Sequence, residues 1–186
     1  MIRLALFVTL TTLLGSCTRE NFGVSSPGSL GDAGRLEALF TEKGLSKTTK
    51  DVDLHEIDGS RGGEDIAMPG RCDTYTDDAR AGDTQTAKIY FDDLGAFVAI
   101  KFHYRSDERD YDKGYYKISR VLHDYWNTVG GAGATFGLAG GAIPILGKEA
   151  LVASFENGNV RGQWVKQVFD GNMRDRVEDT VIVRTR

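Results

Sequence analysis

Apolar and polar positions alternate along two stretches of the chain. In the first, Ala87, Ile89 and Phe91 alternate with Lys88, Tyr90 and Asp92. The turn Asp92-Asp93-Leu94-Gly95 follows, and then Val98, Ile100, Phe102 and Tyr104 alternate with Ala99, Lys101, His103 and Arg105. This period of two predicts a β-hairpin over 86–105 with one face buried, and Gly95 suits the φ > 0 position of a type I turn with a bulge. In the second, Leu151, Ala153 and Phe155 precede Asn157-Gly158, and Val160, Trp164 and Val168 follow it. Asn-Gly between alternating strands predicts a type I′ hairpin over 150–169. Both hairpins read strand, Phe, acid, turn, Gly, strand, which suggests a tandem helix-plus-hairpin unit. A last strand is expected over 177–184.

Helical spacing occurs twice. Asp32 offers an N-cap to a helix ending near Lys43, with Leu36, Leu39 and Phe40 on one face and Gly44 at the stop. Tyr115, Ile118, Val121, Leu122, Tyr125 and Trp126 make one apolar stripe on a helix over 114–127, leaving Lys117, Arg120, His123 and Asp124 to solvent. The polar stretch 45–83, with Gly62-Gly63, Pro69-Gly70 and Asp77-Asp78, is expected to be irregular, with a short strand or helical turn near 52–57 at most. The fold class is therefore α+β: an antiparallel sheet of about five strands (two hairpins plus a C-terminal strand) with one or two helices on one face.

The N-terminus carries a different pattern. Arg3 is followed by an eleven-residue apolar run, Leu4 to Leu14, and then Gly15-Ser16-Cys17. Such a run is too short to span roughly 30 Å of hydrocarbon but suits a cleavable signal. With leucine three residues before the cysteine and small residues between, the stretch resembles the signal peptide and lipobox of a bacterial lipoprotein precursor. The resemblance implies that residues 1–16 are removed, that Cys17 is the lipidation site, and that the mature protein is held to a membrane by its lipid. Thr18 follows where many inner-membrane lipoproteins carry Asp, which implies an outer-membrane address facing the periplasm. Residues 17–31, rich in Ser, Gly and Asn, read as a flexible tether able to hold the body on the order of 40 Å off the bilayer, at roughly 3.3 Å per residue. Residues 32–186 read as a single domain.

Composition narrows the picture. An apolar fraction of 40% and a charged fraction of 27% belong to a soluble globular chain. The formal charge of −4 becomes −5 once Arg3 leaves with the signal, which argues against a general nucleic-acid binder. With Cys17 acylated, Cys72 has no partner within the chain: a shielded, unreactive thiol, or one open to intermolecular pairing.

Residues 125–147 carry no charge, and Gly133, Gly137 and Gly141 fall four apart within a glycine-rich segment over 128–147. Two readings are open: a loop or packed irregular segment, or a glycine-zipper helix that contacts a membrane or self-associates. Glycine in a helix costs roughly 1 kcal/mol relative to alanine and Pro144 lies within the span, both of which favour the loop.

No catalytic constellation is visible. His55, His103 and His123 lack zinc-ligand spacing, no serine sits in a Gly-x-Ser-x-Gly turn, and Asp107, Glu108, Asp110 and Asp112 lack the pattern of a calcium loop. No metal or cofactor is expected, and the chain reads as a non-enzyme. Anchor, helix and hairpins are weakly similar to the SmpA/OmlA-like small outer-membrane lipoproteins, which implies a scaffold or interaction module with a protein partner in the envelope. The alternative is a surface or membrane-active lipoprotein whose segment 130–147 inserts or self-associates. A lipid-anchored enzyme would need a site assembled from residues distant in sequence.

Overall fold

The computed structural model of the protein describes residues 20–57, 69–77, 84–107, 117–138, 149–169 and 176–186. The first helix, α1 (Ala33–Glu42), forms where the sequence places it. Asp32 accepts a hydrogen bond from Arg35 N at its start. At its end Gly44 takes φ +70° and Leu45 N donates back to Phe40 O at 3.1 Å. The second helix, α2 (Lys117–Trp126), buries Ile118, Val121, Leu122, Tyr125 and Trp126, the stripe read from spacing apart from Tyr115, which lies outside the described residues.

The strands are β1 (Ser46–Asp53), β2 (Pro69–Thr76), β3 (Thr84–Asp92), β4 (Phe97–Asp107), β5 (Gly137–Leu138), β6 (Glu149–Asn157), β7 (Val160–Phe169) and β8 (Arg176–Thr185). All pair antiparallel in one sheet, in the order β1-β2-β3-β4-β8-β7-β6-β5. The α+β class holds, with seven long strands rather than about five, and β5 as a two-residue addition at one edge. The extra strands are β1 and β2, which lie in the stretch expected to be irregular. β1 is an edge strand exposed over most of its length, so burial imposes no apolar alternation on it. β2 is anchored by Tyr75 and Cys72, both fully buried, on opposite faces.

A helix followed by a four-strand run occurs twice, and the strand order reads alike from either edge of the sheet. By position the hairpin β3–β4 therefore corresponds to β7–β8, whereas the sequence likeness linked it to β6–β7. In the β3–β4 turn Gly95 takes φ +82°, and Asp92 Oδ1 accepts from Leu94 N at 3.0 Å and Ala96 N at 2.7 Å. The register shifts between Tyr90 and Phe91, as a bulged turn requires. In the β6–β7 turn Asn157 pairs with Val160, so the two loop residues are Gly158-Asn159 and not Asn157-Gly158. The Asn157 side chain is engaged elsewhere, donating Nδ2 to Val129 O at 3.0 Å.

Both helices cover the same face of the sheet. Ile89, Ile100, Phe102, Val181 and Val183 meet Leu36, Phe40, Ile118, Leu122 and Tyr125 in the main core. The segment 20–31, expected to be a free tether, packs on this helical side. Phe22 is 1% exposed and Leu30 4%. The Phe22 ring meets Tyr125 edge-on at 5.3 Å, and Tyr125 Oη donates to Leu30 O at 2.8 Å. Burying a phenylalanine is worth about 2–3 kcal/mol, so Phe22 contributes part of what holds this segment down.

Candidate functional site

The other face of the sheet carries no described helix. A small apolar cluster of Ile57, Cys72, Tyr90 and Ala99 closes its β2–β4 end, with Ile182 packed against it. Strand alternation sends Lys88, Lys101, Arg161 and Arg184 to this face. Register brings them together: Lys88 lies directly opposite Lys101 across β3–β4, and Arg161 directly opposite Arg184 across β7–β8. Arg184 pairs with Ala99, two residues from Lys101 on the same face, which makes the two pairs diagonal neighbours. A band of basic residues therefore crosses four adjacent strands, β3, β4, β8 and β7, over about 14 Å at roughly 4.8 Å per strand, and Glu156 lies directly opposite Arg161 at its β7 end.

Like charges directly opposite on a sheet repel and destabilise the pair. Burial holds the Lys101 ammonium below the ordinary lysine range, and Lys88 lowers it further. On the same strand His103 is also held below its ordinary value, first by burial. Glu178, 3.6 Å from His103 Nε2, opposes that shift, while Lys101, Arg105 and Lys88 add to it. Arg105 lies opposite Glu178, and its Nε is buried with no hydrogen-bond partner among the described residues. At the β7–β8 end a hollow of about 250 Å³ opens between Ser154, Glu156, Arg161, Gln163, Ile182 and Arg184. This face offers fixed positive charge beside apolar floor, which suits recognition of anions carried on a larger surface.

A second concavity, of about 750 Å³, lies on the helical side between α2 and β7, where Arg120, His123, Trp126, Phe136, Trp164 and Lys166 line it. It follows from the way α2 ends. A π-type turn, Asn127–Gly131, continues the helix, with Gly130 at φ +141° and Trp126 Nε1 donating to Gly131 O at 2.9 Å. Trp164 donates its Nε1 to Asp179 Oδ1 at 2.8 Å, and Asp179 is 2% exposed. The His123 ring stands 4.8 Å from Trp164 and is held below its ordinary pKa by burial, with Asp179 opposing. Both indole N–H groups are thus committed inside the protein. The cleft has aromatic walls and a charged rim, with no indole donor left for a ligand.

The glycines singled out by spacing do not share a helix. Gly133 takes φ +91° in an exposed turn, and Gly137 is in β5 opposite Val152; a side chain at either would meet open space. The φ of Gly133 and the β pairing of Gly137 replace the zipper helix over the described part, and Gly141 lies outside the described residues. No described helix is long and apolar enough to cross a membrane. Cys17 also lies outside the described residues, as do Glu108, Asp110 and Asp112. Cys72 is fully buried, its Sγ 3.6 Å from Thr74 Oγ1. Among the described residues no three His, Cys, Asp or Glu side chains gather as a metal site would need.

Sequence reasoning listed Lys101 and His103 as outward positions of a hairpin but passed over Arg161 and Arg184. Their meeting depends on β8 inserting between β4 and β7, a long-range pairing with no local signal. No family model, curated protein or solved structure matches the chain.

Proposed function

We propose that the protein is a lipid-anchored envelope protein, tethered through Cys17, that works as a non-catalytic interaction module and receives its partner on the helix-free face of the sheet. The observation that carries the reading is the diagonal band of Lys88, Lys101, Arg184 and Arg161. Lys88 set directly opposite Lys101 costs the sheet stability, and rules of local stability are broken most often where function requires it.

The buried N-terminal segment bears on how such a module would be presented. Phe22 follows Cys17 by five residues, which at full stretch reach about 17 Å. A lipid on Cys17 would hold the helical side near the bilayer and turn the open face of the sheet outward. Anchor and face then have separate roles, one fixing location and the other engaging a partner.

The test is cross-linking of intact cells carrying a tagged copy, followed by identification of partners from the membrane fraction. Defined envelope proteins are expected with the native chain, reduced in Cys17→Ser and in Arg161→Glu/Lys101→Glu. Recovery of the protein alone, as a ladder of copies, would favour self-association instead. Unchanged membrane attachment in Cys17→Ser would rule out the anchor.

A further inference from the structure

We propose that the cleft between α2 and β7 is a binding site for a neutral oligosaccharide, which it holds by hydroxyls along one bank and by a sugar ring face on the other. The site lies on the helical side of the sheet, away from the proposed partner surface, and is independent of it.

One bank is α2 with the turn that continues it. Arg120, His123, Asp124 and Asn127 stand at i, i+3, i+4 and i+7 and line the cleft together. Each of these side chains is planar and carries two or more polar atoms, so each can meet two neighbouring hydroxyls at once. The guanidinium offers donors and the carboxylate acceptors, while the amide and a neutral imidazole offer both. Burial holds His123 below its ordinary pKa of about 6.5, which keeps the ring neutral at pH 7. Hydroxyls also both donate and accept, and a polyol is the ligand that uses such a mixed set along its whole length.

The other bank carries Phe136, 43% exposed and edge-on to Trp164 at 5.5 Å between ring centres. Trp164 and Trp126 are only 3% and 4% exposed, so they form a packed floor and leave Phe136 as the open ring. The negative face of an aromatic ring attracts the slightly positive C–H bonds on one side of a pyranose.

Charge decides the class of ligand. Arg120 and Lys166 line the cleft, but so does Asp124, and Asp179 lies directly opposite Lys166 across β7–β8. With two charges of each sign, neither an anion nor a cation gains a net attraction. An apolar peptide fits less well, because the open apolar surface comes down to Phe136 with Ala134 beside it. The volume of about 750 Å³ falls within the roughly 300–1,000 Å³ of small-molecule sites, which is room for a few sugar rings.

Both tryptophans of the chain line the cleft, so their fluorescence reports on it directly. The tagged full chain, purified from the cells that make it, is titrated with cellotetraose, chitotetraose and maltotetraose, and with tetragalacturonate as the charged counterpart. A saturable change is expected with at least one neutral tetrasaccharide, and it should be the same at about 50 and 300 mM salt, since no net charge is matched. By calorimetry, Phe136→Ala should raise Kd by about tenfold, and Arg120→Ala and Asn127→Ala by about threefold to tenfold each. All three positions are exposed, so circular dichroism should not change. Lys101→Glu/Arg161→Glu should leave sugar binding as it is, so that the cleft and the open face fail separately. No saturable change with any neutral tetrasaccharide overturns the proposal. Equal affinity in the native chain, Phe136→Ala and Arg120→Ala also overturns it and places the sugar elsewhere. Tighter binding of tetragalacturonate that fades with salt overturns the neutral class and assigns the cleft to anions.

Discussion

Lys88 and Asp179 show the two ways a charged residue sits in this sheet. Lys88 faces another lysine across the strand pair, so removing its charge should stabilise the fold. Lys88→Gln is expected to raise the urea midpoint by the equivalent of about 0.5 kcal/mol, the size of a cross-strand charge pair, while reducing the partner captured by cross-linking. A gain in stability with a loss of binding separates a recognition residue from a structural one. Asp179 behaves in the opposite sense. Its buried carboxylate accepts from Trp164 Nε1 and lies opposite Lys166, so Asp179→Ala leaves a buried indole donor without its acceptor. That substitution should cost about 2–3 kcal/mol in equilibrium unfolding. Neither role was legible in sequence. Asp179 reads as one more polar position in a C-terminal strand, and only the pairing of β7 with β8 brings it to Trp164.

At the scale of elements, legibility followed burial. α1, α2, β3 and β4 each bury a regular stripe on the side where helices and sheet meet, and for them spacing alone gave the element and that face, though not the burial of Tyr90 and Ala99 on the other side of the sheet. β1 was missed because an edge strand has no buried row to display, and β2 because its buried positions include Asp73 as well as Tyr75. The glycines divide in the same way. Gly95 serves a local turn and could be read, whereas Gly162 makes room for a ring directly across the β6–β7 pairing. The face of Gly162 is covered by Phe155 from β6, and a Cβ there would come within 2.1 Å of the ring's Cε1. Gly162→Ala should therefore destabilise by about 2 kcal/mol, checked by thermal unfolding, although β7 is otherwise a strand in which alanine is tolerated. The segment 20–31 was misread for a related reason. Its composition is that of a linker, and two apolar residues among many small ones give no periodicity. Tyr125→Phe removes the bond to Leu30 O and should cost about 1 kcal/mol, with faster proteolytic cutting within residues 20–31 as the readout.

For the whole molecule, pH acts through histidines held neutral. His103 has its folded pKa depressed, mainly by burial, so the unfolded chain binds a proton more readily than the native one. The stabilisation is complete above the unfolded value of about 6.5 and is lost as pH falls through and below it. Stability is expected to drop on acidification from about pH 7 toward pH 5, and His103→Gln should flatten part of that drop in urea titrations at several pH values. Charges facing His103 set its size, since Glu178 opposes the depression while Lys101, Arg105 and Lys88 deepen it.

β8 follows every other described strand in the chain, yet it lies in the middle of the sheet, between β4 and β7. During synthesis the two four-strand halves therefore have no shared seam until residues 176–185 have emerged, and Val181 and Val183 reach the core last. Such a chain stays open while it is being made, at the expense of slow, non-local closure afterwards.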